Sequence, residues 1–184
     1  MKISAISTSN PDQVLSNEDG ESLQRTMLAR ESSNPVGPIL DLFIKSIYSG
    51  RENVRRYAVG LKYALPNTNS NSSAVEPLDT SSSTEQRMEI YSAEALALTL
   101  RSISSLASDG SSPGQFSHIV YVSCTGQAAP GISVGIAESL NQDITPQLHE
   151  LNFFGGCAGL LHGLNIVNGI LATQPSSCVL LCST

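Results

Sequence analysis

The hydrophobic pattern of the first 50 residues predicts one strand and two helices. Residues 2–8 alternate between apolar and polar side chains, as a half-buried strand does, and Asn10-Pro11 ends the alternation. A mixed stretch over about residues 18–30 has helical character. Over residues 39–48 apolar side chains recur at helical spacing, and Gly50 provides a natural end for that helix.

A segment rich in Ser, Asn and Pro over about residues 66–83 separates these elements from the next helix. Its composition is typical of a surface loop, and we interpret it as a loop rather than as a boundary between domains. Ser83 and Gln86 have the spacing of a capping box, which predicts the start of a helix. An apolar stripe at helical spacing continues that helix over residues 88–103, and Asp109-Gly110 ends it.

The second half of the chain alternates between strands and helices. Residues 118–123 form a continuous run of strand length, which is typical of a strand buried on both faces. The other predicted elements are helices over residues 132–140 and 160–171 and strands over residues 148–154 and 178–182. This order indicates one α/β domain over residues 1–184, layered around a sheet that is mixed and mostly parallel. We expect the helix over residues 160–171 to be buried, because it is apolar nearly all round.

Composition and charge exclude several classes of protein. The 184 residues, 40% of them hydrophobic and 14% charged, can bury a substantial core and do not resemble a disordered chain. A net charge of −6 argues against a general nucleic-acid binder, because phosphate binding needs concentrated positive charge. No apolar run reaches the roughly 18 residues that a membrane span requires, and the first residues lack a signal-peptide core. A cytoplasmic protein is therefore expected.

Four cysteines, at positions 124, 157, 178 and 182, are the candidates for chemistry. None belongs to a CxxC pair, and the three histidines are widely spaced, so no metal site is predicted. Most of these thiols are expected to be reduced and to fill the core. Cys157 differs from the others because it lies within the glycine-rich sequence Gly155-Gly156-Cys157-Ala158-Gly159.

That glycine-rich sequence predicts a tight turn between a strand and a helix. Glycines permit the close backbone approach that such a turn needs, and Cys157 falls at the start of the following helix. Unpaired amide groups and the positive end of the helix would favour its thiolate there. Two interpretations of Cys157 stay open at this point: an activated nucleophile on a tight strand-to-helix turn, or a buried cysteine in an ordinary turn.

The turn and several upstream segments resemble the thiolase superfamily. Cys157-Ala158-Gly159, followed by an apolar residue, is similar to the pattern of ketoacyl-ACP synthase III. Residues 123–131, which end in Pro-Gly, are similar to a strand-end loop of type III polyketide synthases, the chalcone and stilbene synthase family. Arg87-Met88 ahead of Glu94-Ala95, and Arg55-Arg56-Tyr57 further upstream, fit that family in order and spacing.

The resemblance implies the amino-terminal half of a thiolase-like α/β/α/β/α layered fold that works as a homodimer. It implies a condensing acyltransferase in which Cys157 accepts an acyl group from acyl-CoA and malonyl-CoA supplies the attacking carbanion after decarboxylation. No cofactor beyond these substrates is implied. By position, Thr125, Gly156 and Ala129 would contact the substrate. Lys45 and Arg51 map loosely to the basic residues that meet the CoA phosphates, and a solvated charged face is the alternative for both.

Several departures from the family pattern affect the expected activity. The family has a bulky residue, usually Met, where this chain has Ala129, and the family's extra residue after the cysteine is absent. The family's catalytic His and Asn lie in its carboxy-terminal half, and His118, His149 and His162 do not fit that role well. A direct pair between His162 and Cys157 is disfavoured by their spacing.

We therefore expect a condensing enzyme that is incomplete as this chain alone and that needs a complementary carboxy-terminal half or a second copy. The alternative is a non-catalytic or split-subunit interaction protein that keeps the thiolase fold. A cysteine hydrolase is a third possibility, since it would use the same turn, but it requires a histidine base that the sequence does not identify.

Overall fold

A computed structural model describes residues 2–11, 14–16, 20, 21, 25, 37–48, 56, 57, 83–108, 115–152 and 158–184. The chain divides into two compact units. The larger unit consists of Met1–Ser9 together with Thr84–Thr184, and the smaller unit is Asn10–Ser83.

The smaller unit contains two short strands and a helix whose bounds are described, and Gly20, Glu21 and Arg25, within the helix predicted over residues 18–30, are also helical. Strand β1 (Val14–Leu15) pairs antiparallel with strand β2 (Arg56–Tyr57). Helix α1 (Pro38–Tyr48) confirms the helix that was predicted over residues 39–48. Of the apolar side chains in α1, Ile44 is buried, whereas the others at its amino-terminal end are exposed. Most of the helix predicted over residues 18–30, and almost all of the loop predicted over residues 66–83, lie outside the described residues.

The larger unit contains a three-stranded sheet with helices on both sides. Its elements in chain order are α2 (Thr84–Ser108), β3 (His118–Ser123), α3 (Ile132–Leu140), β4 (Gln147–Asn152), α4 (Gly159–Thr173) and β5 (Val179–Ser183). The strand order is β4-β3-β5, and both pairs are parallel. The predicted alternation of strands and helices is therefore confirmed, with described ends that agree within two residues.

Strand β3 is the centre of this sheet and is buried on both faces, as its continuous apolar sequence predicts. Ile119 and Tyr121 point to one face, where they pack with residues of α2 and α3. Val120 and Val122 point to the other face, where they pack with Val167 of α4. The two cores lie on opposite sides of one strand because side chains alternate along a strand.

Helix α4 is buried along one stripe rather than all round, so the prediction of a fully buried helix is wrong. Its buried positions are Gly159, Gly163 and Val167, which recur every four residues and so lie on one face. Leu161, on another face, is 63% exposed. The sequence is apolar all round, but only one layer of sheet is present within the described residues to cover it.

The strand predicted over residues 2–8 is not formed. Residues 2–11 have no regular secondary structure, and Ile6 is 76% exposed. The segment is held instead by side-chain hydrogen bonds to α2. The hydroxyl of Ser9 donates to the carbonyl oxygen of Leu98 over 2.7 Å, and the hydroxyl of Ser102 donates to Ser9 Oγ over 2.6 Å. The sequence of residues 2–8 alternates as that of a strand does, but no described strand lies beside this segment to pair with it.

Within the described ranges, no helix is both long enough and apolar enough to cross a bilayer.

Two glycines of α4 provide a matched test of this packing. A methyl group at Gly163 would lie 2.8 Å from side-chain carbons of both Val122 and Leu181, whereas one at Gly169 would meet nothing within 4 Å. We expect Gly163→Ala to destabilise the protein by about 1–3 kcal/mol through overpacking. Gly169→Ala should stabilise it by about 0.5–1 kcal/mol, since alanine favours the helix. Urea unfolding of both variants measures the difference, and equal stabilisation by both would contradict the tight approach of α4 to the sheet.

Candidate functional site

The carboxyl ends of the three parallel strands define the edge of the sheet where a site can form. β3 ends at Ser123, β4 at Asn152 and β5 at Ser183, and these ends share one edge because the strands are parallel. Ligand sites in open α/β sheets lie outside the carboxyl ends of the strands. Thr125 and Ala129 follow β3 directly and therefore belong to this edge.

Gly156 and Cys157 lie outside the described residues. In the sequence they stand between Asn152, the last residue of β4, and Ala158, the N-cap of α4. The prediction that Cys157 follows a strand and precedes a helix therefore agrees with the elements on either side of it. The structure gives no side-chain geometry for the predicted nucleophile, which stays a prediction.

Residues 124–131, which we call the strand-end loop, connect β3 to α3. Thr125 and Ala129 are exposed in this loop. The backbone of the loop turns at its start, where the amide of Thr125 donates to Ser123 Oγ over 3.1 Å. The peptide bond between Ala129 and Pro130 is cis. The structure thus brings two of the three predicted substrate-contacting residues into one exposed loop.

The first half of the strand-end loop packs against an aromatic ring of α2. A methyl group at Gly126 would lie 2.5 Å from Cγ of Tyr91, so the loop backbone rests directly on that ring. The hydroxyl of Tyr91 lies 3.0 Å from that of Tyr121, which in turn lies 2.5 Å from Thr184 Oγ1. Burial raises the pKa of Tyr121 far above its ordinary value, because the phenolate would lose its solvation. Tyr121 is therefore a neutral, hydrogen-bonded core residue.

The second half of the strand-end loop is held by Glu150 of β4. The amide of Ile132 donates to Glu150 Oε1 over 3.0 Å, and the hydroxyl of Ser133 donates to Oε2 over 2.8 Å. The N-cap residue of α3 is Gly131, which has no side chain to cap the helix. Glu150 thus supplies from a neighbouring strand the carboxylate that the first turn of a helix favours.

The sequence analysis did not identify Glu150. Two signals pointed to it: β4 contains one charged residue in six, and α3 begins after a glycine rather than after Ser, Thr, Asp or Asn. A helix that starts without its own capping side chain needs an acceptor from elsewhere. The spacing of 17 residues between Ser133 and Glu150 hides that relation from any local pattern.

Two of the histidines lie together away from the strand-end loop. The rings of His118 and His149 are stacked, with centroids 5.7 Å apart and planes inclined by 12°. Nδ1 of His118 lies 2.9 Å from Ser117 Oγ. His118 opens β3 at the amino end of the sheet, opposite the edge where β3 ends. The third histidine, His162, lies on an exposed part of α4.

The candidate CoA contacts lie in the smaller unit. Lys45 Nζ is 3.0 Å from Asp41 Oδ2, and Arg25 also binds Asp41 and Glu21. Hydrogen bonds from Arg25, and then from Lys45, lower the pKa of Asp41. Ion pairs between partly exposed side chains are typical of a solvated charged face, which is the alternative to CoA binding given above. Arg51 lies outside the described residues, and the CoA role of both residues stays a prediction.

Metal binding finds no support in the part of the chain that the structure describes. There, no three side chains of His, Cys, Asp or Glu are grouped so that they could hold an ion.

No family model matches the sequence, and a search of curated proteins finds no similar one. Solved structures do match. A fungal type III polyketide synthase, ORAS, superimposes with a TM-score of 0.64 at 16% identity, over 99% of this chain and 46% of that one. A type III pentaketide synthase from Neurospora crassa gives a TM-score of 0.63 at 17% identity, over 99% and 46% of the two chains. The 1,3,6,8-tetrahydroxynaphthalene synthase of Streptomyces coelicolor A3(2), a bacterial type III polyketide synthase, gives 0.61 at 21% identity, over 96% and 45%.

This chain shares its α/β fold with part of a type III polyketide synthase. It spans less than half the length of these relatives, as expected for a half of a thiolase-like layered fold. The predicted fold class is therefore confirmed. Identities of 16–21% establish the fold alone, so the activity, substrates and partners of the whole synthases are not carried over by the similarity.

The three described cysteines differ in environment more than the sequence analysis expected. Cys124 and Cys178 are exposed, and only Cys182 is buried. The expectation that most cysteines fill the core is therefore wrong for the first two. Burial raises the pKa of the Cys182 thiol to about 12, because the thiolate would be desolvated there.

We expect iodoacetamide to label Cys124 and Cys178 in the folded protein at neutral pH, while Cys182 stays unlabelled until the protein is unfolded. The reagent reacts with thiolate, and Cys182 combines poor access with a raised pKa. Peptide mapping by mass spectrometry after a time course, with a urea-unfolded sample as the control, measures each site. Labelling of Cys182 at the rate of Cys178 in the folded protein would contradict its burial in the core.

Proposed function

We propose that this chain is the amino-terminal, nucleophile-bearing half of a condensing acyltransferase of the type III polyketide synthase or ketoacyl-ACP synthase III kind. One observation carries the proposal: the fold matches type III polyketide synthases over 96–99% of the chain. In that fold, the sequence Gly-Cys-Ala-Gly falls between the carboxyl end of β4 and the start of α4. A nucleophile belongs at this point of an α/β sheet because the crevice outside the strands is open to substrate.

In the proposed reaction the thiolate of Cys157 attacks the thioester carbonyl of an acyl-CoA. A new carbon–sulfur bond forms to Cys157, the bond to the CoA sulfur breaks, and CoA leaves as its thiol after taking up a proton. The positive end of α4 favours the thiolate before attack. Thr125, Gly156 and Ala129 would line the space beside the acyl group, because the strand-end loop and the turn after β4 follow strands that end at the same edge.

The second step, decarboxylation of a malonyl unit and attack of its carbanion on the acyl-cysteine, requires a polarising pair of side chains that the described part of the chain does not bring together. His118 and His149 stack on each other at the amino end of β3 rather than at the edge of the strand-end loop. We propose that a complementary carboxy-terminal half, or the second copy in a homodimer, supplies the polarising residues. The substrates would be acyl-CoA and malonyl-CoA, with no further cofactor.

The distribution of cations along the sequence limits which segments could bind the CoA phosphates. All ten Lys and Arg residues lie at or before Arg101, so residues 102–184 carry no positive side chain. An anionic CoA phosphate would find no counter-charge in the segment that contains the strand-end loop and Cys157. Lys45 and Arg51 are the candidates from the sequence, Lys2, Arg87 and Arg101 are the cations of the larger unit, and a partner subunit is a further source.

A second function, a non-catalytic interaction subunit that keeps the fold, is favoured by the edges of the sheet. Among the described strands of the larger unit, β4 and β5 each have β3 as a neighbour on one side only. Large apolar side chains are exposed nearby, on β4 at Leu148 and on α4 at Leu160 and Leu161. Unpaired strand edges and exposed apolar surface are both typical of protein–protein contact.

Acyl loading distinguishes the two functions. The protein is incubated with a panel of acyl-CoAs of increasing chain length and then measured by intact-protein mass spectrometry. We expect a mass gain of one acyl group that is absent in Cys157→Ala and retained in Cys178→Ala, since Cys178 lies at the amino end of the sheet. A gain that persists in Cys157→Ala, or no gain in folded wild type, would favour the interaction subunit.

The same proposal predicts the order of thiol reactivity. We expect iodoacetamide to label Cys157 faster than Cys124, Cys178 or Cys182 at neutral pH, because a helix amino terminus favours the thiolate. Peptide mapping of a short pulse gives the relative rates. Equal rates at Cys157 and the exposed Cys124 would rule out an activated thiol.

A further inference from the structure

The strand-end loop is fixed at both ends and exposed between them. At its start Gly126 rests on the ring of Tyr91, and at its end Gly131 lies against Glu150. Between these points the backbone amide of Gln127 donates to Met88 Sδ over 3.4 Å, and the side chains of Gln127, Ala129 and Pro130 are exposed. A loop held in this way presents a defined surface rather than a mobile one.

Glu150 makes the contacts that fix the second end. Its carboxylate accepts hydrogen bonds from the amide of Ile132 at 3.0 Å, the amide of Ser133 at 3.4 Å and the hydroxyl of Ser133 at 2.8 Å. A methyl group at Gly131 would lie 1.7 Å from Glu150 Oε2, so the carboxylate occupies the space that any other residue at position 131 would need. A side chain at position 131 would therefore require the Glu150 carboxylate to move away from its hydrogen bonds with Ile132 and Ser133.

Glu150 has no cationic partner in this part of the chain, since residues 102–184 contain no Lys or Arg. Its negative charge is balanced by neutral donors and by the positive end of α3. Hydrogen bonds to a charged acceptor are stronger than those between neutral groups, so this carboxylate holds the start of α3 more firmly than a neutral cap would.

We propose that Glu150 is a positioning residue for acyl transfer, which acts by fixing the strand-end loop at the edge of the sheet where β4 ends, five positions before Cys157 in the sequence. The inference rests on the proposed function. Glu150 lies on β4, the strand that precedes Cys157 in the sequence, so the loop anchor stands seven positions before the proposed nucleophile. Thr125 and Ala129 then keep a constant position relative to the carboxyl end of β4 while the acyl group is transferred.

Four variants test the proposal. Glu150→Gln removes the charge and one acceptor while keeping the size, and Gly131→Ala displaces the carboxylate without changing the charge. Ser133→Ala removes one of the three hydrogen bonds. Glu138→Gln is the control, because it removes the same charge from an exposed position on the same helix, α3. All variants are compared where circular dichroism shows that they are fully folded.

Two measurements are made on each variant. Hydrogen exchange followed by mass spectrometry reports opening of residues 124–133 relative to the rest of the larger unit. Single-turnover acylation of Cys157 at increasing acyl-CoA concentrations gives both the limiting rate and the half-saturating concentration. A merely structural role would alter stability without altering the limiting rate of fully folded protein.

We expect Glu150→Gln and Gly131→Ala to accelerate exchange in residues 124–133 by about tenfold, through loss of hydrogen bonds to a charged group. The limiting acylation rate should fall by about the same factor at an unchanged half-saturating concentration, since the proposed function assigns the loop to the acyl group and not to the CoA. For Ser133→Ala, both the exchange rate and the limiting acylation rate should lie between those of these variants and those of wild type. Both rates of Glu138→Gln should match wild type.

Unchanged exchange in the strand-end loop, or faster exchange spread over the whole unit, would overturn the inference. A normal limiting rate in folded Glu150→Gln with an opened loop would also overturn it. If wild type is not acylated, the proposed function fails and so does the role in acyl transfer. The exchange data would then show separately whether Glu150 anchors the loop. If Glu150→Gln does not fold, Gly131→Ala and Ser133→Ala give the same test.

Discussion

The burial of β3 on both faces is the constraint on which the rest of the larger unit depends. A strand without charged residues has to be covered on both sides, and α2 and α3 cover one side while α4 covers the other. Parallel pairing with β4 and β5 satisfies the backbone hydrogen-bonding groups of β3. The same pairing brings the carboxyl ends of all three strands to one edge of the sheet. The position of the candidate site is therefore a consequence of core packing.

At that edge the chain uses glycine where backbone has to approach a side chain closely. Gly126 allows the loop to lie on the ring of Tyr91, and Gly131 leaves room for the carboxylate of Glu150. Both contacts join elements that are distant in sequence, so they tie the loop to α2 on one side and to β4 on the other. Tyr121 also stabilises this region, because its hydroxyl lies within hydrogen-bonding distance of both Tyr91 and Thr184.

Local patterns predicted most of the secondary structure of the larger unit. Helix periodicity identified α2 and α3, and the continuous run in β3 correctly indicated burial on both faces. The errors arose where the outcome depends on neighbours: residues 2–8 have a strand pattern but no described strand beside them, and α4 is apolar all round but covered on one side.

The candidate site was predictable only in part, because some of its contacts join residues that are distant in the sequence. The strand-end loop was identified because its residues follow one another in the sequence. Glu150 was missed because its partners lie 17 and 18 positions away, so the two signals, a lone charged residue in β4 and a helix that begins after a glycine, stand too far apart to be related from the sequence. The stacking of His118 and His149 likewise follows from the register of β3 and β4 rather than from either sequence segment alone.

The register of β5 on β3 has a consequence for the time course of folding. Ser117 and Cys178, which meet at the start of this pairing, are 61 positions apart in the chain, whereas Ser117 and Gln147, which meet at the start of the pairing of β3 with β4, are 30 apart. Closing the longer loop costs more chain entropy, so we expect β3 to pair with β4 before it pairs with β5. Before β5 pairs with β3, one edge of β3 has unpaired backbone groups. Another chain could pair with that edge while it is exposed.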